Sequence, residues 1–346
     1  MARMRVAVVG ATGAVGREML RILEERRFPV DELVPLASAR SAGRRVVFRG
    51  REIEVRPLSP EALRGVDLSL SAAGASVART FVPEAAAAGT TCIDKSSAFR
   101  MDPDVPLVIP EVNPEALEGG PRIVAVPNCT TIVALMAVAP LHRAAGLLRL
   151  VLSSYQAVSG AGRDGVAELI EQVGKLHGAE EDLAHPAPSA LPAGEVFGKT
   201  IAFNALPRID AFDEEGWTGE ETKTMRESRR ILGLPDLDVA ATCVRVPVVV
   251  GHAVSIHATF SRSLSPREAR ELLAGAPGVE LMDDPERGVY PSPLEAAGRD
   301  EVLVGRIRQA PGRDDALLLF ACGDNLRKGA ALNGVQIAER LLLGGG

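Results

Sequence analysis

Aromatic side chains are scarce along these 346 residues, at 3%. With so few rings there is little to stack against bases, and a net charge of −6 lacks the basic surface that a phosphate backbone demands. Nucleic acid is therefore not an expected partner. No run approaches the roughly 18–20 apolar residues that cross a bilayer. Membrane insertion is not expected either, and Met1-Ala2-Arg3-Met4 leads straight into a strand with no apolar signal region. The four cysteines, Cys92, Cys129, Cys243 and Cys322, lie far apart and include no C-x-x-C pair, so neither a metal site nor a dithiol couple is expected. A soluble cytoplasmic protein with reduced thiols is the expectation. Lysine is confined to Lys95, Lys175, Lys199, Lys223 and Lys328, and arginine carries the rest of the positive charge.

What is present suits a globular protein. Hydrophobic residues make up 46% and charged residues 24%, and the length allows two domains with sizeable cores. Arg5-Val6-Ala7-Val8-Val9 is a short apolar run of the kind found in central parallel strands. Gly10-Ala11-Thr12-Gly13-Ala14-Val15-Gly16 follows, and then Met19, Leu20, Ile22 and Leu23 recur at helical spacing. A strand, a Gly-rich turn and a helix in that order open a dinucleotide-binding unit. The spacing is G-x-x-G-x-x-G rather than G-x-G-x-x-G, yet it still lets a pyrophosphate approach the backbone at a helix N-terminus. The next strand, Leu33 to Ala37, ends in Ser38-Ala39-Arg40-Ser41. An acidic residue that would hold a ribose 2′-hydroxyl is replaced there by an arginine between serines, which suits a 2′-phosphate and favours NADP. Arg44 and Arg45 read as readily as a solvated turn.

Strands at Asp67–Ser71 and Cys92–Asp94 flank a helix over 76–88, and Arg122–Val126 is a further strand. This alternation predicts a doubly wound parallel sheet. Gly10, Ser38, Ser71, Gly74, Arg100 and Cys129 all fall at or past the carboxyl ends of its strands, where ligands collect. Cys129 precedes an apolar helix over 132–145, with Thr130 and Thr131 as candidate caps and Pro140 expected to end or kink it. A thiol at such a junction is expected to lose its proton easily and act as a nucleophile. The commoner fate of a free cysteine, a buried structural residue, stays open.

Beyond Leu147 the texture changes. A strand over 150–158, a helix over 165–176, an irregular Pro-rich stretch over 177–198 and a charged helix over 220–232 come first. Strands at 239–244, 251–261, 301–307 and 316–322 follow, interrupted by a helix capped by Ser265, and a last helix spans 323–343. Strands in succession suggest an α+β domain with a largely antiparallel sheet. Arg245 and His252 bracket Val246-Pro-Val-Val-Val-Gly251. An arginine in apolar company suits a substrate carboxylate, and equally an internal salt bridge; His252 is a base candidate, and equally a core imidazole. Seven residues apart on a straight strand the two would face opposite ways, so Pro247 or Gly251 must break the alternation if they share a site.

Seven motifs in order resemble the aspartate-semialdehyde dehydrogenase family. They are Gly10–Gly16, Val126-Pro-Asn-Cys129-Thr-Thr, Tyr155-Gln-Ala-Val-Ser-Gly-Ala-Gly162, Ile201–Arg208, Glu220-Glu-Thr-Lys223, Arg245–Val248 with Gly251-His252, and Asp324–Ala330. The resemblance implies a Rossmann-type NADP-binding domain of residues 1–128 plus 325–346. It also implies a catalytic and dimerisation domain of residues 129–324, in a glyceraldehyde-3-phosphate-dehydrogenase-like α/β architecture. It implies NADPH-dependent reduction of L-aspartyl 4-phosphate to L-aspartate 4-semialdehyde and phosphate, within lysine, threonine, methionine and diaminopimelate biosynthesis. Cys129 would carry the acyl group, His252 would be the acid/base and Gln156 would orient the substrate. Arg245 would bind its α-carboxylate, Glu220 would lie near its α-amino group, and Arg100, Asn128 and Lys223 would hold phosphate. Thr12, Gly13, Ala14, Val15, Arg40, Ser41, Ser159, Gly160 and Asn325 would contact NADP. A homodimer is implied, with a tetramer open. His257 is read as structural. The alternatives are N-acetyl-γ-glutamyl-phosphate reductase, which has no use for a Glu facing a free ammonium, and a non-catalytic NADP-binding regulator.

Overall fold

The structure is a computed structural model that describes residues 4–185 and 191–344. Met1 to Arg3 and the middle of the Pro-rich stretch, 186–190, lie outside the described residues, as do 345–346. The chain runs β1 (Met4–Val9), α1 (Ala14–Glu25), β2 (Val30–Ala37), β3 (Arg45–Phe48), β4 (Arg51–Glu54), β5 (Arg56–Pro57), β6 (Leu68–Ser71), α2 (Ala75–Ala87), β7 (Thr91–Asp94) and β8 (Ile123–Ala125). It continues through α3 (Cys129–Ala145), β9 (Leu147–Gln156), α4 (Gly162–Leu176), α5 (Glu180–Ala184), α6 (Gly219–Leu232), β10 (Asp238–Arg245) and β11 (His252–Phe260). Then come α7 (Pro266–Ala274), β12 (Val279–Leu281), α8 (Pro293–Ala296), β13 (Val302–Gln309), β14 (Ala316–Gly323) and α9 (Leu332–Leu343).

The first sheet has the order β5-β2-β1-β6-β7-β8, with every pairing parallel. Alternate residues of β1 serve different cores: Val6 and Val8 pack on the side of α1, while Ala7 and Val9 pack on the side of α2. Both faces are covered, which is why the strand reads as an unbroken apolar run. Parallel alignment brings the carboxyl ends together, so Gly10, Ala72, Lys95 and Val126 all leave from one edge.

The second sheet is mixed, in the order β10-β9-β11-β14-β13-β12. The central pairings of β9, β11, β14 and β13 are antiparallel, and parallel pairs close both edges. Helix α3 lies between this sheet and the rest of the molecule, and it is apolar nearly all round because it is buried nearly all round. Among the described residues no helix is long and apolar enough to cross a membrane.

Three expectations need correction. Pro140 does not end α3, which continues to Ala145 and stops at Gly146. Thr130 and Thr131 do not cap it; the Asn128 side chain does, accepting from the N–H of Thr130 at 2.8 Å and of Thr131 at 3.3 Å. Gly323 does not begin the last helix but ends β14, and a π-turn at Arg327–Ala331 precedes α9. The sequence reading also passed over the β3–β4 hairpin, where Arg45 pairs with Glu52 across the strands.

Candidate active site

Where the first sheet's carboxyl edge meets the second sheet, a cavity of about 330 Å³ is lined by Cys129, Gln156, Glu220, Arg245 and His252. Lys95, Arg100, Asn128, Gly160, Asp210 and Lys223 line it as well. Residues from distant parts of the chain meet here because different elements deliver them. Cys129 is the first residue of α3, Gln156 the last of β9, Arg245 the last of β10, His252 the first of β11, and Glu220 sits in the first turn of α6. The expected break between Arg245 and His252 is present: β10 ends at Arg245, and Gly251, with φ +96°, turns the chain into β11. Both side chains therefore reach one cavity.

Glu220 is the hub. One oxygen accepts from Asn128 Nδ2 and from Gln156 Nε2, each at 2.9 Å, and the other lies 3.4 Å from Lys223 Nζ. Burial alone would push its carboxyl up, but Lys223, the two amides and Arg245 reverse that and hold it below its ordinary value. Lys223 also pairs with Asp210. Helix α6 turns an unusual polar face inward, with Glu220, Thr224 and Glu227 buried along it. Glu227 receives Arg100 Nη1 at 2.9 Å and the backbone N–H of Asn128 at 2.6 Å. It thus ties an arginine of the cavity to the start of α3. Arg100 spends its other nitrogens on the carbonyls of Val126, at 3.0 Å, and Lys95, at 2.8 Å.

His252 is completely buried. Its Nδ1 accepts from the Ala157 N–H at 3.1 Å, so the proton of the neutral ring belongs on Nε2, and Nε2 has no partner among the described residues. Burial, with Arg245 beside it, pushes the imidazolium pKa down to about 3. The ring is neutral. Cys129 departs from the expectation of an easily lost proton: burial first, then the Glu220 carboxylate, push its thiol up. Lys95, Arg100 and Arg245 work against that rise. Arg245 donates to the Ala157 carbonyl at 2.7 Å and lies over the Phe197 ring.

The expected cofactor residues divide. Ser159 and Asn325 meet, with Asn325 Nδ2 donating to Ser159 Oγ at 2.9 Å and its Oδ1 accepting from the Gly251 N–H, also at 2.9 Å. Gly74 and Gly160 line the cavity. Gly10 to Gly16 form the turn into α1, whose first turn has no side-chain cap. A Cβ on Gly16 would collide with the Gly10 carbonyl, so only glycine lets helix and turn close up. Ser38, Arg40 and Ser41 stand at the exposed end of β2, away from the cavity. Ser71 is buried at the end of β6, opposite Asp94 of β7 in the strand register.

Lys95, Asp210 and Glu227 were not singled out from sequence. Glu227 could have been found, because it falls seven residues after Glu220 on the same helix face. Among the described residues no cluster of ligating side chains could hold a metal.

Two family models match. The semialdehyde dehydrogenase NAD binding domain covers residues 5–120, and the semialdehyde dehydrogenase dimerisation domain covers 138–328. Aspartate-semialdehyde dehydrogenase of Aquifex aeolicus is 48% identical over 98% of each chain. That of Bacillus subtilis is 46% identical over 98% of this chain and 97% of its own. Aspartate semialdehyde dehydrogenase II of Vibrio cholerae, solved in complex with ASA, superposes with a TM-score of 0.92 at 41% identity, covering 99% of both chains.

Proposed function

This chain belongs to the aspartate-semialdehyde dehydrogenase family, and on that premise we propose that Cys129 carries the acyl group of L-aspartyl 4-phosphate as a thioester. The chain is an oxidoreductase of that family, and its relatives favour neither the N-acetyl-γ-glutamyl-phosphate reductase nor the regulator alternative. The convergence of Cys129, His252, Gln156, Arg245 and Glu220 on one cavity carries the reading.

In the biosynthetic direction the Cys129 sulfur attacks the acyl carbon, the bond to the phosphate oxygen breaks and phosphate leaves. NADPH, when bound, would supply the hydride to the thioester carbon, and the C–S bond to Cys129 would then break to release the semialdehyde and return the thiolate. His252 Nε2–H donates to the oxygen that turns negative when the carbonyl is attacked, and its neutral ring suits that role. Arg245 offers a bidentate fork to the α-carboxylate, and Gln156, tied to Glu220, orients the chain of the substrate. The α-ammonium belongs near Glu220. Its arrival would offset the carboxylate that now opposes ionisation of Cys129, so the thiolate forms with substrate in place. Arg100, Asn128 and Lys223 are assigned to phosphate.

The glycine turn, the uncapped start of α1 and the Ser159–Asn325 pair suit the dinucleotide, and Arg40 without an acidic neighbour suits the 2′-phosphate of NADP. The division into 1–128 plus 325–346 and 129–324 follows these roles. One face of the second sheet, bearing Val151, Tyr155, Leu318 and Phe320, is not fully covered within the chain, which supports a homodimer formed there. The free cysteines suit a reducing cytoplasm. The deciding assay is phosphate-dependent NADPH formation from L-aspartate 4-semialdehyde, run beside the N-acetylglutamate 5-semialdehyde. Turnover confined to the second substrate, or independent of phosphate, overturns the reading.

A further inference from the structure

The cavity holds four cations, and their partners differ. Arg100 donates to Glu227 and to two carbonyls; Lys223 is held by Asp210 and Glu220; Arg245 donates to the Ala157 carbonyl. Lys95 has neither a hydrogen bond nor an ion pair from its ammonium to any described residue, although a lysine head carries three donors. It occupies the first position past β7, on the same parallel edge that delivers Cys129 from β8. Its backbone is fixed on both sides: its N–H donates to the Ser71 carbonyl at 2.9 Å and its own carbonyl receives Arg100. A rigid backbone therefore carries a free ammonium into a half-closed cavity. A half-buried ammonium so placed can pair with an anion that enters the cavity.

Of the groups that enter this cavity, the α-carboxylate has Arg245 and the α-ammonium has Glu220. The phosphate released from the acyl carbon has at Arg100 and Lys223 only cations already matched to carboxylates. We propose that Lys95 is a phosphate-binding residue of the reaction, its ammonium pairing with the phosphoryl oxygens as the bond between acyl carbon and phosphate breaks or forms. This deepens the reading under Proposed function and rests on it for the identity of the anion. Burial holds the Lys95 ammonium below the ordinary lysine range, the neighbouring Cys129 acting the other way, so a bound dianion would strengthen its hold on its proton.

The test uses the full-length protein with Lys95→Met and Lys95→Arg. In the phosphate-dependent direction, Lys95→Met should raise the KM for phosphate about tenfold or more, equivalent to about 1.4 kcal/mol. The KM values for semialdehyde and NADP should stay within about twofold, and Lys95→Arg should recover much of the loss because it keeps the charge. An unchanged phosphate KM overturns the proposal, and a rise confined to the KM for NADP overturns it by assigning the amine to the cofactor. A second measurement needs no turnover. Inorganic phosphate should slow alkylation of Cys129 by iodoacetamide in the wild type and not in Lys95→Met. Equal protection in both overturns the proposal. Lys95-dependent protection in a protein that fails the semialdehyde assay supports the phosphate site while removing the activity assigned to it.

Discussion

Lys328 is wholly buried and Lys95 half-buried, and burial pushes both amines below the ordinary lysine range. They are housed in opposite ways. Lys328 is wholly buried, and its three donors reach Glu111 at 2.5 Å, Gln336 at 2.7 Å and Asn333 at 3.2 Å. The acceptors are themselves tied together, since Gln336 Nε2 returns to Glu111 at 2.9 Å and Asn333 Nδ2 reaches the Val108 carbonyl at 2.9 Å. That cluster is closed and fastens the C-terminal helix to the first domain's loops. The Cys129 cavity is left open: among the described residues the buried His252 Nε2 has no partner, and the half-buried Lys95 ammonium meets no acceptor. Buried polar groups that find every partner hold a fold together; those left without one await a ligand.

The contrast can be broken most severely at the sulfur. Cys129→Ala should lower turnover by about a thousandfold or more while NADP still binds, measured by steady-state rates and equilibrium dialysis. Residual activity above a trace contradicts the nucleophile. In the closed cluster, Lys328→Met strands a buried carboxylate and should cost about 3–5 kcal/mol in urea unfolding. Lys95→Met, which strands nothing, should shift stability by no more than about 0.5 kcal/mol. Equal losses would erase the distinction between the clusters. Arg245→Lys keeps the charge and loses the fork, so kcat/KM for the semialdehyde should drop roughly tenfold to a hundredfold. Wild-type behaviour would remove the carboxylate contact. Farther out, Arg40→Ala should reduce the NADP-to-NAD preference about tenfold, the loss of one charge-assisted contact. An unchanged ratio places the 2′-phosphate elsewhere.

A further test concerns acid. Folding pushes the His252 pKa from the ordinary imidazole value of 6.5 down to about 3. Between those values the unfolded chain binds a proton that the folded one refuses, so stability is lost as pH falls from about 6.5 toward 3. His252→Gln should flatten that slope in pH-dependent unfolding. An identical slope would mean that the ring accepts a proton in the folded protein.

Much of the site was legible because chemistry and punctuation coincide along the chain. Gly10–Gly16 sits between an apolar strand and an amphipathic helix, and Asn128-Cys129 sits at a later strand-to-helix junction, so both positions follow from local pattern. Lys95 and Glu227 were harder for a physical reason. Neither lies in a Gly-rich turn, and their meaning comes from what stands opposite, which is Cys129 for one and Arg100 with the Asn128 N–H for the other. Helix α6 reads as a charged, solvated helix because its buried face is polar, and the hydrophobic pattern that marks burial elsewhere is missing there. Pro140 misled for the same kind of reason, since packing on all sides of α3 overrides a local breaker. The β3–β4 hairpin is made of two four-residue strands, Arg-Val-Val-Phe and Arg-Glu-Ile-Glu, neither with a clean alternation that would stand out beside Arg44 and Arg45.

The π-turn before α9 brings Gly329 so close to Cys129 that an added Cβ would lie 2.9 Å from the Cβ of Cys129. The sulfur is thus seated against a stretch of chain that a ribosome makes long after the cysteine itself. Asn325 and Lys328 arrive in the same late stretch. A nascent chain halted between Cys129 and that point would carry its glycine turn and its thiol, but not the wall against which the cysteine rests. Chemistry should therefore wait for residues 325–329, which come after the last strand of either sheet in chain order.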